Sequence, residues 1–168
     1  MKKKIALIVA LVAMVALVAS CASSGAAKAA PAAAASSGSD VKVSLQAKDA
    51  KLMTSKDLKM ENGNSNIGWW SDLGDKAVWE ADIPEDGTYS IEVKYSVDPS
   101  FAGAVVNISV GDSMVEWPVI STGGWGNYKS FAAGTVDLKA GATTVTLQAK
   151  SIKNRFVANI QRVRLVKQ

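Results

Sequence analysis

Thr88-Tyr89-Ser90-Ile91-Glu92-Val93-Lys94-Tyr95-Ser96-Val97 decides the fold. Tyr89, Ile91, Val93, Tyr95 and Val97 alternate with Ser90, Glu92, Lys94 and Ser96. A period of two marks a strand with one face in a core and the other in water. The preceding Pro84-Glu85-Asp86-Gly87 reads as a turn, because proline presets φ and glycine accepts positive φ. Val106, Ile108 and Val110 repeat the alternation and end at Gly111-Asp112; Val145, Leu147 and Ala149 repeat it after Ala140-Gly141. The last strand changes phase. Phe156, Ala158 and Ile160 share one face, then Val163 and Leu165 take over, which predicts a bulge near Gln161-Arg162. Residues 48–66 show no clear alternation and read as loop with one or two short strands. Short strands separated by turns, without a long helical period, predict an all-β antiparallel sandwich.

Outward from this domain, the N-terminal part is of another kind. Lys2, Lys3 and Lys4 precede an apolar run from Ile5 to Ala19, the pattern of an export signal. Leu17-Val18-Ala19-Ser20-Cys21 resembles a bacterial lipobox at every position. That resemblance implies a signal peptide over 1–20 and a lipid-modified Cys21 at the mature N-terminus. The competing reading is an uncleaved anchor, which the run of about 15 apolar residues disfavours, since a spanning helix needs about 20. From Ala22 to Ser39 the chain is nearly all Ala, Ser and Gly, with Lys28 and Pro31. Such a segment has too little side-chain area to offset its ordering entropy. With Cys21 it forms a flexible linker over 21–39, with a reach of about 25 Å. The expected location is the cell envelope, held to a membrane by lipid. In lipoproteins of two-membrane bacteria an aspartate after the cysteine often signals inner-membrane retention; Ala22 is not that residue, so the resemblance implies the outer membrane where there are two.

Charge excludes some partners. The formal charge of +4 belongs to the precursor: without Lys2, Lys3 and Lys4, 16 basic residues face 15 acidic, and without Lys28 the rest is neutral. The folded part, residues 40–168, therefore lacks the net charge of a nucleic-acid binder. Its size supports one core without staples. The chain has no histidine, and its one cysteine is assigned to lipid, so the common general base and thiol nucleophile are both missing. Asp72 with Asp75 or Glu80 is a conceivable carboxylate pair, but any surface offers such pairs. The chain is read as a non-enzyme with no cofactor.

Several segments in one order resemble carbohydrate-binding modules of the family 6 and family 35 type. They are Gln46-Ala47-Lys48-Asp49, Ile67-Gly68-Trp69, Gly74-Asp75, Val78-Trp79-Glu80, and Ile83 through Tyr89. Ser121-Thr122-Gly123-Gly124-Trp125-Gly126-Asn127-Tyr128, Val136 through Gly141, and Asn159 through Leu165 complete the series. The resemblance implies a jelly-roll sandwich of galactose-binding-like type and a glycan ligand, an oligo- or polysaccharide. It also implies a cleft of two aromatic rings and an asparagine, which by position are Trp69, Trp125 and Asn159. A separate glycan-active enzyme is a partner consistent with that role.

The residue chemistry agrees. An indole covers the C–H face of a sugar, and an amide offers a donor and an acceptor to its hydroxyls. Trp125, after Gly123-Gly124, is read as a ligand platform, with a loop anchor as the alternative. Trp70 competes with Trp69 for the exposed place, because neighbouring strand residues point to opposite faces. Asn159 is equally readable as an amide satisfied by loop backbone. Trp79, Trp117 and Tyr128 are assigned to the core.

Many members of these families hold a structural calcium near the opening motif and the closing strand. Here Lys48 and Gln161 stand where acidic ligands are expected. Calcium needs six to eight oxygens with compensating charge. No metal is expected at that position, and Lys48 would replace the ion electrostatically. Glu61, Asp72 and Asp75 read as a solvated loop face. The reading opposed to glycan binding is a structural or protein-interaction lipoprotein that keeps the sandwich and has lost the sugar site.

Overall fold

The computed structural model describes residues 41–168. The signal segment, Cys21 and the linker lie outside the described residues. In chain order the described part runs β1 (Val41–Gln46), a 3-10 turn (Ala47–Asp49), β2 (Lys51–Met53), β3 (Lys59–Glu61) and β4 (Asn66–Gly68). Longer strands follow: β5 (Lys76–Ile83), β6 (Gly87–Ser96), β7 (Val105–Val110), β8 (Ser113–Pro118), β9 (Lys129–Leu138), β10 (Gly141–Ser151) and β11 (Asn159–Lys167). Every pairing is antiparallel.

Two sheets result. One has the order β3-β4-β11-β6-β9, with β1 also paired to β11; the other has the order β2-β5-β10-β7-β8. This is the antiparallel jelly-roll sandwich expected from the alternation and the turns. Residues 48–66, expected to hold one or two short strands, hold β2 and β3 and lead into β4.

The period-two pattern of β6 is realised without exception in its inward set: Tyr89, Ile91, Val93 and Tyr95 are fully buried. Val145, Leu147 and Ala149 on β10 and Val106, Ile108 and Val110 on β7 face them from the second sheet. Trp79 and Trp117 are core residues, as assigned. Tyr128 is not; it is half-buried, beyond the end of the ladder that opens at Lys129.

The predicted bulge is present. Ile160 faces Tyr95 and Arg162 faces Lys94, so Gln161 is the extra residue. A second shift lies between Ile91 and Glu92, where β9 carries Ala133 without an opposite number. Just beside it, a Cβ on Gly134 would stand 3.1 Å from a Val115 methyl, so β9 and β8 approach closely at this side of the sandwich.

Tyr95 is the hub of the core. Its ring stands 4.7 Å from Trp117 in an edge geometry and 5.3 Å from Phe131. Its hydroxyl donates to the Ile120 carbonyl at 2.9 Å. Burial raises its pKa well above the usual tyrosine value, so the phenol stays a donor throughout the working pH range. Tyr95→Phe is expected to cost about 1 kcal/mol, the worth of one hydrogen bond with a part-buried acceptor left behind. Tyr95→Ala is expected to cost about 3–5 kcal/mol through the cavity it opens. Urea unfolding of both variants checks the ranking.

Candidate functional site

The site is built from the short, irregular segments at one end of the sandwich. The β3–β4 hairpin turns through Asn62, Gly63 and Asn64, all at positive φ (50°, 67° and 66°). Gly and Asn are the residues that tolerate this region best. The buried Asn66 then ties the hairpin together: its Oδ1 accepts from Asn62 Nδ2 at 2.8 Å, and its Nδ2 donates to Glu61 Oε2 at 3.3 Å. The other Glu61 oxygen accepts from Trp69 Nε1 at 2.5 Å. Trp69 itself has φ +57°, a strained value for a bulky residue, and is 44 % exposed. The strain turns its indole outward while Trp70 goes into the core.

Gly68 makes this arrangement possible. A Cβ there would overlap the Glu61 carboxylate and stand 2.8 Å from Asn159 Oδ1. Absence of a side chain leaves room for both polar groups beside the β4 backbone.

The opposite wall comes from the β8–β9 loop. Thr122, buried, accepts from the Val97 amide at 2.9 Å, and Asn127 Nδ2 donates to the Thr122 carbonyl at 2.6 Å. Ser96 Oγ donates to the Trp125 carbonyl at 2.6 Å, so this loop is fixed to β6. Trp125 is half-buried and rests on the edge of the core. Phe101 packs beside it at 5.3 Å, and Phe156 lies 5.8 Å from Phe101. Phe156 also meets Trp69 edge-on at 5.6 Å and 81°.

Four rings therefore surround one pocket of about 230 Å³, completed by Glu61, Ala158 and Asn159. That is below the roughly 300–1,000 Å³ of sites for drug-sized ligands and suits a ligand of about one ring. Two cations sit on the outer rim. Lys59 Nζ is 4.7 Å from the Trp69 ring centre, and the Arg155 guanidinium is 4.9 Å from that of Phe156. The site thus offers apolar ring area, an amide with donor and acceptor, and a carboxylate with two hydrogen bonds already made.

Of the residues expected from sequence, Trp69, Trp125 and Asn159 line this one pocket. Trp70 does not. It is fully buried, with Nε1 donating to the Asp72 carbonyl at 3.2 Å, because the positive φ at Trp69 sends the two indoles to opposite sides. Phe156, placed by its spacing on an inward strand face, precedes β11 and lies half-buried in the pocket; Val157 is buried instead. Glu61 and Phe101 were not singled out as site residues, since both lie where the sequence has no periodicity.

The acidic residues also separate. Asp75, read as part of a solvated face, is fully buried, and its Oδ1 accepts from the Ser55 amide at 2.7 Å. Asp72 pairs with Lys56 at 2.9 Å; the hydrogen bond from Lys56 and then that from the Gly74 amide hold its carboxyl below the usual range. Lys48, expected to stand in for a calcium ion at the opening motif, lies exposed and pairs with its neighbour Asp49 at 2.6 Å. Among the described residues, no three acidic or other metal-binding side chains gather into a cluster.

The fold is shared with solved carbohydrate-binding modules. A family 35 module from Clostridium thermocellum matches with a TM-score of 0.62 and 19 % identity, covering 75 % of this chain and 98 % of that one. The module of Cellvibrio mixtus lichenase 5A, solved with cellotriose, matches with a TM-score of 0.61 and 22 % identity, covering 77 % and 99 %. An exo-β-1,3-galactanase from Phanerochaete chrysosporium matches with a TM-score of 0.60 and 14 % identity; the match spans 75 % of this chain but only 29 % of that enzyme. No protein-family model and no curated protein matches the sequence. The family 6 and family 35 resemblance of the sequence motifs thus has its counterpart in the architecture.

Gly68→Ala is expected to lower the melting temperature, because the new Cβ overlaps the Glu61 carboxylate that satisfies the buried Asn66 and stands 2.8 Å from Asn159 Oδ1. It is expected to break the Trp69–Glu61 hydrogen bond, seen as a shift of the Trp69 indole N–H in a proton–nitrogen spectrum.

Proposed function

We propose that the pocket binds one sugar ring of a glycan without breaking any bond. The observation that carries this reading is the convergence of Trp69, Trp125, Phe101 and Phe156 on an opening that also holds Asn159 and Glu61. Partly exposed indoles are costly to keep in water and are worth keeping where a ligand covers them. The C–H face of a pyranose meets the rings, while Asn159 and the free lone pairs of Glu61 address its hydroxyls. The neighbouring folds, drawn from modules named for carbohydrate binding, support the same reading.

The reading extends to location. Cys21 carries lipid, the Ala/Ser/Gly linker spaces the sandwich from the membrane, and many copies on one surface turn a weak single-site affinity into avidity. The protein works as a non-catalytic, envelope-bound glycan receptor.

The experiment is a glycan array on the full chain purified in non-ionic detergent. Binding is expected for the parent, and at least about a tenfold loss for Trp125→Ala and for Trp69→Ala, matching the worth of a stacked ring. Trp125→Ala remains folded, with a stability loss of about 1–2 kcal/mol for its half-buried ring. No binding by the parent to any glycan overturns the reading. Cys21→Ser is expected to move the protein from the membrane fraction to the soluble fraction and to abolish metabolic labelling by an alkyne-bearing fatty acid.

A further inference from the structure

The three arginines of the chain, Arg155, Arg162 and Arg164, all fall within ten residues at its closing end. Arg155 is at the pocket rim, held at φ +47° over Phe156. The register of the six-stranded sheet explains where the other two go. Arg162 stands between Lys94 on β6 and Gln46 on β1, and Arg164 between Glu92 and Ser44. Directly opposite residues share a sheet face. Lys94 continues the first row to Ser130 on β9. This is the outer face, since Ile91, Val93, Tyr95, Val163 and Leu165 fill the inner one.

The same face runs into the pocket. One row further along, Asn159 stands opposite Ser96. Two strand residues span about 7 Å, so the Lys94–Arg162 row begins about that far from the pocket amide.

Positive charge on this face exceeds what the protein supplies to meet it. Glu92 is the one carboxylate in the two rows, and its oxygen is 3.9 Å from Arg164 Nη1. Among the described residues no ion pair is made by Lys94 or Arg162. The Nε atoms of Arg162 and Arg164 are both covered and without an acceptor. Burial, and then the Arg164 charge, lower the pKa of Arg162 from its ordinary value, with Glu92 acting in the opposite sense. Such a pair of guanidinium forks matches the oxygens of a carboxylate, sulfate or phosphate. Residues 40–168 are neutral as a whole, so outside this face 12 basic residues stand against 14 acidic ones and offer anions no general attraction.

Glu61 lines the pocket, and Lys59 and Arg155 stand on its rim, so the pocket's own charges select neither for nor against an acidic ring. We propose that the outer sheet face along Lys94, Arg162 and Arg164 binds the acidic groups of a glycan, another ring of which occupies the pocket. The second half of that statement rests on the sugar-binding reading of the pocket; the anion-binding face stands on its own charges.

The test separates the two. The full chain in non-ionic detergent is passed over immobilised dextran sulfate, with unsubstituted dextran as the control, and eluted with rising salt. Retention on dextran sulfate alone is expected. Arg162→Gln/Arg164→Gln is expected to bind about tenfold more weakly, the worth of one charge-assisted hydrogen bond, and to elute earlier. Lys94→Gln, which leaves the closing strand intact, is expected to shift in the same direction. Lys139→Gln/Lys150→Gln removes as much charge elsewhere and is expected to elute with the parent, as is Trp125→Ala. Passage of the parent straight through overturns the inference. So does co-elution of the double arginine variant with the parent, or an equal shift for the remote lysine pair. A glycan array without hits, beside the arginine-dependent salt shift, removes the pocket reading and leaves the anion-binding face in place.

Discussion

One extra residue, Gln161, fixes what the closing strand shows to each side. In an unbroken strand Asn159 and Arg162 would point to opposite faces, as odd and even positions do. The bulge shifts the phase by one. Asn159 then opens to the pocket, Val163 and Leu165 return to the core, and Arg162 and Arg164 join the face that Asn159 began. The strand is central, with β1, β4 and β6 all paired to it, so the phase it adopts is imposed on its neighbours. A shift by one residue without the bulge would bury two guanidinium groups and expose two aliphatic side chains, at a cost of several kcal/mol for the charges alone.

Above this frame, the site is assembled from segments that the sandwich does not need. The β3–β4 hairpin with Trp69 after it, the β6–β7 connection, the β8–β9 loop and the turn before β11 each deliver one ring, and three of them carry a polar fastening: Asn66 to Glu61, Ser96 to the Trp125 carbonyl, and the Trp70 carbonyl to the Val157 amide at 2.9 Å. Non-glycine residues at positive φ lie in the hairpin and at Trp69 and Arg155. Each such position costs of order 1 kcal/mol or more, and persists where the surroundings over-determine it. Here they orient two of the four rings and the cation above one of them.

The sequence was most readable where a repeating pattern met a repeating structure. The alternation of β6, β7 and β10 and the phase change of β11 foretold strands, core and bulge, because burial on one face imposes a period of two. Trp69, Trp125 and Asn159 were legible by chemistry and by motif order. Phe101, Glu61 and the true position of Phe156 were not, since a loop residue obeys no period and its direction depends on distant partners. The choice between Trp69 and Trp70 turned on one dihedral angle, which neighbouring residue types do not encode. Asp75 escaped for a related reason: its burial follows from the Ser55 amide, twenty positions away in the chain.

The β3–β4 hairpin is attached to the sheet through one facing pair, Ile67 with Ile160, whereas β6 runs beside β11 for nearly its whole length. Burial holds the hairpin where the ladder is short: Ile67 and, just beyond β4, Trp70 are fully buried. Trp69 and Glu61 ride on that hairpin, while Trp125 is fastened to β6. The two jaws of the pocket are thus moored differently, one by apolar burial and the other by a hydrogen bond to a long strand, and whatever is held between them ties the two moorings together.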